Sequence, residues 1–170
     1  MEIRYRKVKV EDAQTVLDYL DLAGKESDNL TFGEEGLGVT LDEEVAMIEK
    51  ILAGDNQVMY LALDQNRIVS IANLSTSSRP RMKHVSTLGI SVLKDYWHQG
   101  IATHMMKLLL DFAQQCESTE IIRLDVRSDN AYAVHLYEKF GFTKIGTFPE
   151  EMKINGDYIS IDIMRLKLCS

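Results

Sequence analysis

The feature that most constrains this chain of 170 residues is a three-part stretch between positions 85 and 126. Val85–Leu93 reads VSTLGISVL, a run rich in β-branched and apolar residues that predicts a strand. After Gly100, apolar residues recur at Ile101, Met105, Leu108, Leu109, Phe112 and Cys116, the spacing of a helix with one buried face. Glu120–Val126 is a second β-patterned run. Two strands joined through a helix cannot form a tight hairpin. The crossover lays them parallel, with the helix packed over the sheet. The chain is therefore expected to contain an α/β unit at its centre.

The flanking segments extend that unit. Ile3–Lys7 alternates like a strand, and Glu11–Leu22 carries Ala13, Val16, Leu17 and Leu20 at helical spacing. Lys25–Val39 is rich in Gly and Glu and reads as a loop. Thr40-Leu41-Asp42-Glu43 has the capping-box pattern and opens a helix that should bury Val45, Ile48 and Ile51 before Gly54 closes it. Gln57–Leu63 and Arg67–Leu74 form a hairpin across Asp64-Gln65-Asn66. Asn130–Phe140 is a helix capped by Gly141, and strands close the chain near Phe142–Thr147 and Tyr158–Lys167. Pro80 and Pro149 are assigned to loops. The order is β-αα-βββ-α-β-α-ββ, a mixed α/β fold read as a single domain over residues 1–170.

Bulk properties narrow the function. A chain of this length buries enough surface to fold without disulfides or metals. The net charge of −7 argues against a general nucleic-acid binder and weakly favours cationic partners. Cys116 and Cys169 are the only cysteines, with neither a CxxC pair nor a histidine cluster beside them, so no metal site is expected. The N-terminus lacks the apolar core of a secretion signal, and no apolar run has the length of a membrane span. A cytoplasmic protein with no membrane or nucleic-acid partner is the expectation.

The stretch YWHQGIA, residues 96–102, sits where the first strand of the crossover gives way to its helix. The first turn of a helix carries N–H groups without intrahelical partners, and the helix dipole adds positive potential there. A glycine at that point lets backbone approach a ligand closely, and Ala102 keeps the next crowded position small. A phosphate or pyrophosphate is the expected ligand. It is not a Walker A loop, because no Lys-Ser or Lys-Thr pair follows, and a single mid-chain glycine is not the Rossmann GxGxxG fingerprint.

Residues 124–142 read LDVRSDNAYAVHLYEKFGF. Together with Trp97-His98-Gln99-Gly100-Ile101-Ala102, this segment resembles the Gcn5-related N-acetyltransferase (GNAT) superfamily. In that family an R/Q-x-x-G-x-G/A turn grips the pyrophosphate of acetyl coenzyme A, and an Asn and a helix ending in LYxxxGF follow. Here those positions are Asn130, Ala133, Leu136-Tyr137 and Gly141-Phe142, and the element order resembles the whole family fold. The departure is Trp97, which stands where the family has Arg or Gln. A grip made mainly by N–H groups should survive that change, whereas contacts of the usual side chain should be lost.

The resemblance implies acetyl-CoA as cofactor, a homodimer, and transfer of acetyl to a primary amine of a small cationic metabolite or of a protein or peptide, by direct attack in a ternary complex. An alkyl amine with a pKa of about 10.4 must first lose a proton, the carbonyl oxyanion needs an N–H donor, and the leaving thiolate needs a proton. The resemblance assigns the pantetheine arm to the strand Leu88–Val92, including Ile90, Ser91 and Val92, with the N–H near Ser91 or Val92 as oxyanion contact. It assigns the pyrophosphate to His98, Gln99, Gly100, Ile101, Ala102 and Thr103. Asn130 and Ala133 serve the pantetheine, and Tyr137 is the general acid and a cofactor contact. The base stays open among His84, Glu34, Glu35, Asp125 and a water chain, since Val85–Val92 holds no carboxylate. The loop Lys25–Val39 and the final hairpin, with Phe32 and Tyr158, are the expected acceptor side. The reading from a different class is a non-catalytic acyl-CoA-binding module.

Overall fold

Strand β1 (Ile3–Lys7) leads through a short 3-10 turn, Val10–Asp12, into helix α1 (Ala13–Glu26). The junction is fixed by Asp12, which accepts two bonds from the Arg6 guanidinium at 2.7 and 2.8 Å and one from the Lys9 N–H at 2.7 Å. Those bonds, the Arg6 side chain first, hold the Asp12 carboxyl below the usual carboxylate range despite its burial. These are features of a computed structural model of the chain, which describes residues 2–169.

Helix α1 starts two residues later than the sequence suggests and ends four later. Gly24 lies inside the helix and is buried. A Cβ at that position would collide with the Gly33 carbonyl, so the glycine serves a close approach of the following loop rather than a helix end. Helix α2 (Leu41–Ala53) begins as expected: Thr40 Oγ1 accepts from the Glu43 N–H, and the Glu43 carboxylate accepts from the Thr40 N–H at 2.8 Å. Its end differs, because Gly54 has φ −88° and ψ 157°, an extended conformation open to any residue rather than a left-handed cap.

Strands β2 (Val58–Asp64) and β3 (Arg67–Thr76) form the antiparallel hairpin, turning on Gln65-Asn66 alone, since Asp64 already pairs with Arg67. Ala13, Val16, Tyr19 and Ala23 of α1, Ile48 of α2, and Leu61 and Leu63 of β2 bury into one cluster. Each large aliphatic side chain removed from water there contributes roughly 1.5–3 kcal/mol. Glu44 shares this buried face of α2, 0% exposed, and neither carboxylate oxygen has a hydrogen-bond partner. Burial raises its pKa.

Strand β4 (Val85–Val92) pairs in parallel with β5 (Ile121–Arg127) over Val85–Thr87, and α3 (Ile101–Gln115) connects them, as the crossover required. Helix α4 (Ala131–Lys139) and the hairpin of β6 (Thr143–Ile154) and β7 (Asp157–Lys167) complete the chain. Seven strands follow the order β1-β2-β3-β4-β5-β7-β6. The β1–β2, β2–β3, β5–β7 and β6–β7 pairs are antiparallel, so this is a mixed α/β fold. By contacts the chain forms two compact units. One comprises the residues up to Ser75 with Gly89–Cys116, and the other Thr76–Leu88 with the residues from Glu117 onward.

In the second unit, α4 ends in a Schellman arrangement. Gly141 has φ 93°, its N–H donates to the Glu138 carbonyl at 2.9 Å, and the Phe142 N–H donates to that of Tyr137 at 3.1 Å. Strand β6 ends seven residues later than the sequence suggests. Pro149 lies within it rather than in a loop, at a bulge between Phe148 and Met152. A bulge on an edge strand is where a missing N–H is tolerated. Asn155-Gly156 turns the hairpin with φ of 51° and 89°, the pair of positive values that Asn-Gly suits.

Candidate active site

In the first unit, β4 ends at Val92 and the chain reaches α3 through a tethered loop. The Leu93 N–H donates to the Val69 carbonyl at 2.9 Å, and the Lys94 N–H donates to the Glu26 carboxylate at 3.0 Å. The Tyr96 hydroxyl donates to Asp64 at 2.8 Å. Trp97 is half-buried. Its indole N–H folds back and donates to the Val92 carbonyl at 2.8 Å, tying the loop to the strand. Gln99 donates to the Asp95 carbonyl at 3.0 Å.

Two residues of this loop are left-handed, His98 at φ 60° and Gly100 at φ 79°. For a non-glycine residue such as His98 that conformation costs on the order of 1 kcal/mol, a strain characteristic of ligand-gripping turns. Gly100 is the N-cap of α3, and no side chain caps the helix. The other helices that follow loops differ: Thr40 caps α2, and Asn130 caps α4 by accepting from the Ala133 N–H at 3.2 Å. The first intrahelical bond of α3 runs from the His104 N–H to the Gly100 carbonyl at 3.0 Å, so the N–H groups of Ile101, Ala102 and Thr103 precede the ladder. A Cβ built on Gly100 meets open space, which leaves the front of these donors clear. Ile101 itself is 2% exposed and anchors the helix in the interior, with Ala102 and Thr103 half-buried.

Ile90, Ser91 and Val92 are the last residues of β4, all half-buried. Two residues that sequence reasoning passed over hold this segment. Ser70 on β3 donates to the Ser91 carbonyl at 2.8 Å, and the Tyr19 hydroxyl bonds the Ser91 hydroxyl at 2.9 Å. The available signal was a serine inside the apolar run RIVSIANL, where a buried hydroxyl needs a partner.

In the second unit, Asn130, Ala133 and Tyr137 share one face of α4, at spacings of three and four residues. The Asn130 side-chain oxygen is engaged in capping, and an Arg127–Asp129 ion pair of 2.7 Å braces the turn before it. Tyr137 is 8% exposed, its ring tilted against Phe142, and burial pushes its pKa up to about 12. His84 precedes β4, and its carbonyl accepts from Glu120 and Ile121. Asp125 is exposed on β5, and Glu34 and Glu35 are exposed in the α1–α2 loop, where Glu35 accepts from the Gly33 N–H at 2.9 Å. Among the described residues, no group of three or more His, Cys, Asp or Glu side chains is placed to hold a metal. No helix among the described residues is long and apolar enough to cross a membrane.

A central strand running into a glycine-led helix start without a side-chain cap is a geometry that suits an anion. Residues 26–142 match the model of the acetyltransferase (GNAT) family, and the chain belongs to that family. It is 30% identical over 92 residues to the L-amino acid N-acetyltransferase AaaT of Escherichia coli (strain K12), an alignment covering 54% of this chain and 57% of that protein. The chain thus spans little more than half of that relative. A GNAT-family acetyltransferase of Streptococcus pneumoniae superposes with a TM-score of 0.95 at 27% identity, over 98% of this chain and all of that one. yncA of Salmonella typhimurium, solved with its cofactor acetyl-CoA, has the same fold, with a TM-score of 0.84 at 16% identity over 98% of this chain and 94% of its own.

Proposed function

We propose that the protein transfers the acetyl group of acetyl-CoA to a primary amine by direct attack. The observation that carries this reading is the uncapped start of α3, opened by a left-handed Gly100 directly after β4. A pyrophosphate is the ligand whose charge and oxygens suit three convergent N–H donors at a positive helix end. His98 and Gln99 would line it beside Gly100, Ile101, Ala102 and Thr103. Ile90, Ser91 and Val92 would run alongside the pantetheine.

Acetyl-CoA would supply an acetyl thioester. The Val92 N–H would hold the charge that develops on the carbonyl oxygen as the amine nitrogen bonds to carbon and the carbon–sulfur bond breaks. Tyr137, with a pKa of about 12, keeps its proton at neutral pH. A thiol ionises near 8.5, so full transfer from Tyr137 would run uphill by roughly 5 kcal/mol. Tyr137 therefore acts chiefly as a hydrogen-bond donor to the departing sulfur. The base is not assigned to His84, because eight residues of strand at about 3.3 Å each separate it from Val92, beyond reach of a proton on the attacking amine. A water passing the proton to solvent fits the absence of a carboxylate on β4.

The amine belongs to a small cationic metabolite or to a peptide, and the acidic chain favours the former. A cytoplasmic homodimer belongs to the same proposal, and sedimentation at micromolar concentration tests the dimer. Thiol release from acetyl-CoA, measured against a panel of amino acids, polyamines and peptides, tests the activity. Amine-dependent release supports it. Cofactor binding with no release across the panel would contradict it and leave a non-catalytic acyl-CoA-binding module.

A further inference from the structure

The geometry points to Ser70, backed by Tyr19, as a positioning residue that aims and strengthens the Val92 N–H at the acetyl carbonyl. This rests on the acetyltransferase reading above and adds residues outside its motifs. The Ser91 carbonyl and the Leu93 N–H both face β3, where they meet the Ser70 hydroxyl at 2.8 Å and the Val69 carbonyl at 2.9 Å. Backbone groups alternate sides along a strand, so the Val92 N–H between them faces away from β3. The Val92 carbonyl points the same way, and the Trp97 indole covers it at 2.8 Å.

The Ser91 carbonyl and the Val92 N–H belong to one planar peptide. A hydrogen bond donated to its oxygen draws electron density from its nitrogen. The N–H at the other end becomes a stronger donor, by an increment on the order of 10–30%. Ser70 is 0% exposed and Tyr19 is 4% exposed, so both partners of the half-buried Ser91 are shielded from water. The register of β2 and β3 supplies the means. It shifts at Ala62/Leu63, leaving Val69 as an extra residue in β3. Such a bulge re-aims the side chains beside it, and here Ser70 meets a carbonyl of the neighbouring strand. Tyr19 fixes the Ser91 side chain from the helix side, so the peptide is held from two elements.

The experiment compares Ser70→Ala and Ser70→Thr with the wild type by steady-state kinetics. The vibrational frequency of the thioester carbonyl in bound ¹³C-acetyl-CoA is measured alongside. Ser70→Ala should lower kcat roughly 5- to 30-fold, less than the 10²–10³ seen when an oxyanion donor is removed outright. KM for acetyl-CoA should stay within about twofold, and the carbonyl band should move toward its frequency in water. Ser70→Thr, which restores the hydroxyl, should recover most of kcat. If Ser70→Ala does not fold, Ser70→Cys, a weaker donor of similar size, should show the same shifts at smaller amplitude. Unchanged kcat and carbonyl frequency in a folded variant would overturn the assignment while leaving the acetyltransferase reading intact. So would parallel losses in kcat, KM and melting temperature that Thr does not rescue. A wild-type protein without turnover would overturn both.

Discussion

At the scale of single residues, two buried ionisable groups carry opposite expectations. Tyr137 is raised to about 12 by burial, so it stays protonated through the range where amines lose their protons. Turnover should therefore rise with pH toward the amine pKa and show no fall from Tyr137 below about pH 11. Tyr137→Phe should cut kcat by about 10² or more and leave acetyl-CoA affinity within a few-fold. Equal losses in turnover and calorimetric affinity would make the tyrosine structural instead. Glu44 is a cost to stability. Its folded carboxyl holds a proton more tightly than an unfolded Glu near 4.3, so stability is fullest below that pH and declines as pH rises through the folded value. Glu44→Gln should raise the melting temperature at pH 8, by about 2–4 °C per kcal/mol recovered, and the two proteins should converge near pH 4. A gap that does not change with pH would rule out a buried ionised carboxylate as its source.

At the scale of elements, the segment from β4 to α3 accounts for what the sequence left open. Gly100 and the amphipathic run after it were legible because a helix start and a 3.6-residue period are local signals. The partner of Trp97 was not. An indole N–H that returns to the Val92 carbonyl depends on the loop's path, including a left-handed His98 that no residue preference announces. Pro149 misleads for the same reason. It is a breaker by local rules, yet it sits inside β6 because a bulge receives it. Ser70 showed in the sequence only as a serine inside an apolar run, and the roles of Ser70 and Tyr19 exist only once β3, β4 and α1 lie side by side. The β-strand and helix order, by contrast, was readable throughout, from period-two and helical spacing alone.

At the scale of the whole molecule, the family assignment and the close superposition on the Streptococcus pneumoniae acetyltransferase agree with the element order read from the chain. The acidic balance, with 26 Asp and Glu against 19 Lys and Arg, fits an acceptor that arrives as a cation. The central claim is that acetyl-CoA is held by its pyrophosphate at the start of α3, and calorimetric titration of CoA into wild type, Gly100→Ala and Gly100→Trp tests it most directly. Gly100→Ala isolates the left-handed strain, roughly 1–2 kcal/mol. Gly100→Trp adds a bulky ring over the donors, where a side chain now meets only open space. The account predicts binding to wild type, weakening by Gly100→Ala, and loss of at least about 100-fold in a Gly100→Trp protein that retains its helical circular dichroism. Equal affinity in wild type and the folded Gly100→Trp variant would contradict it.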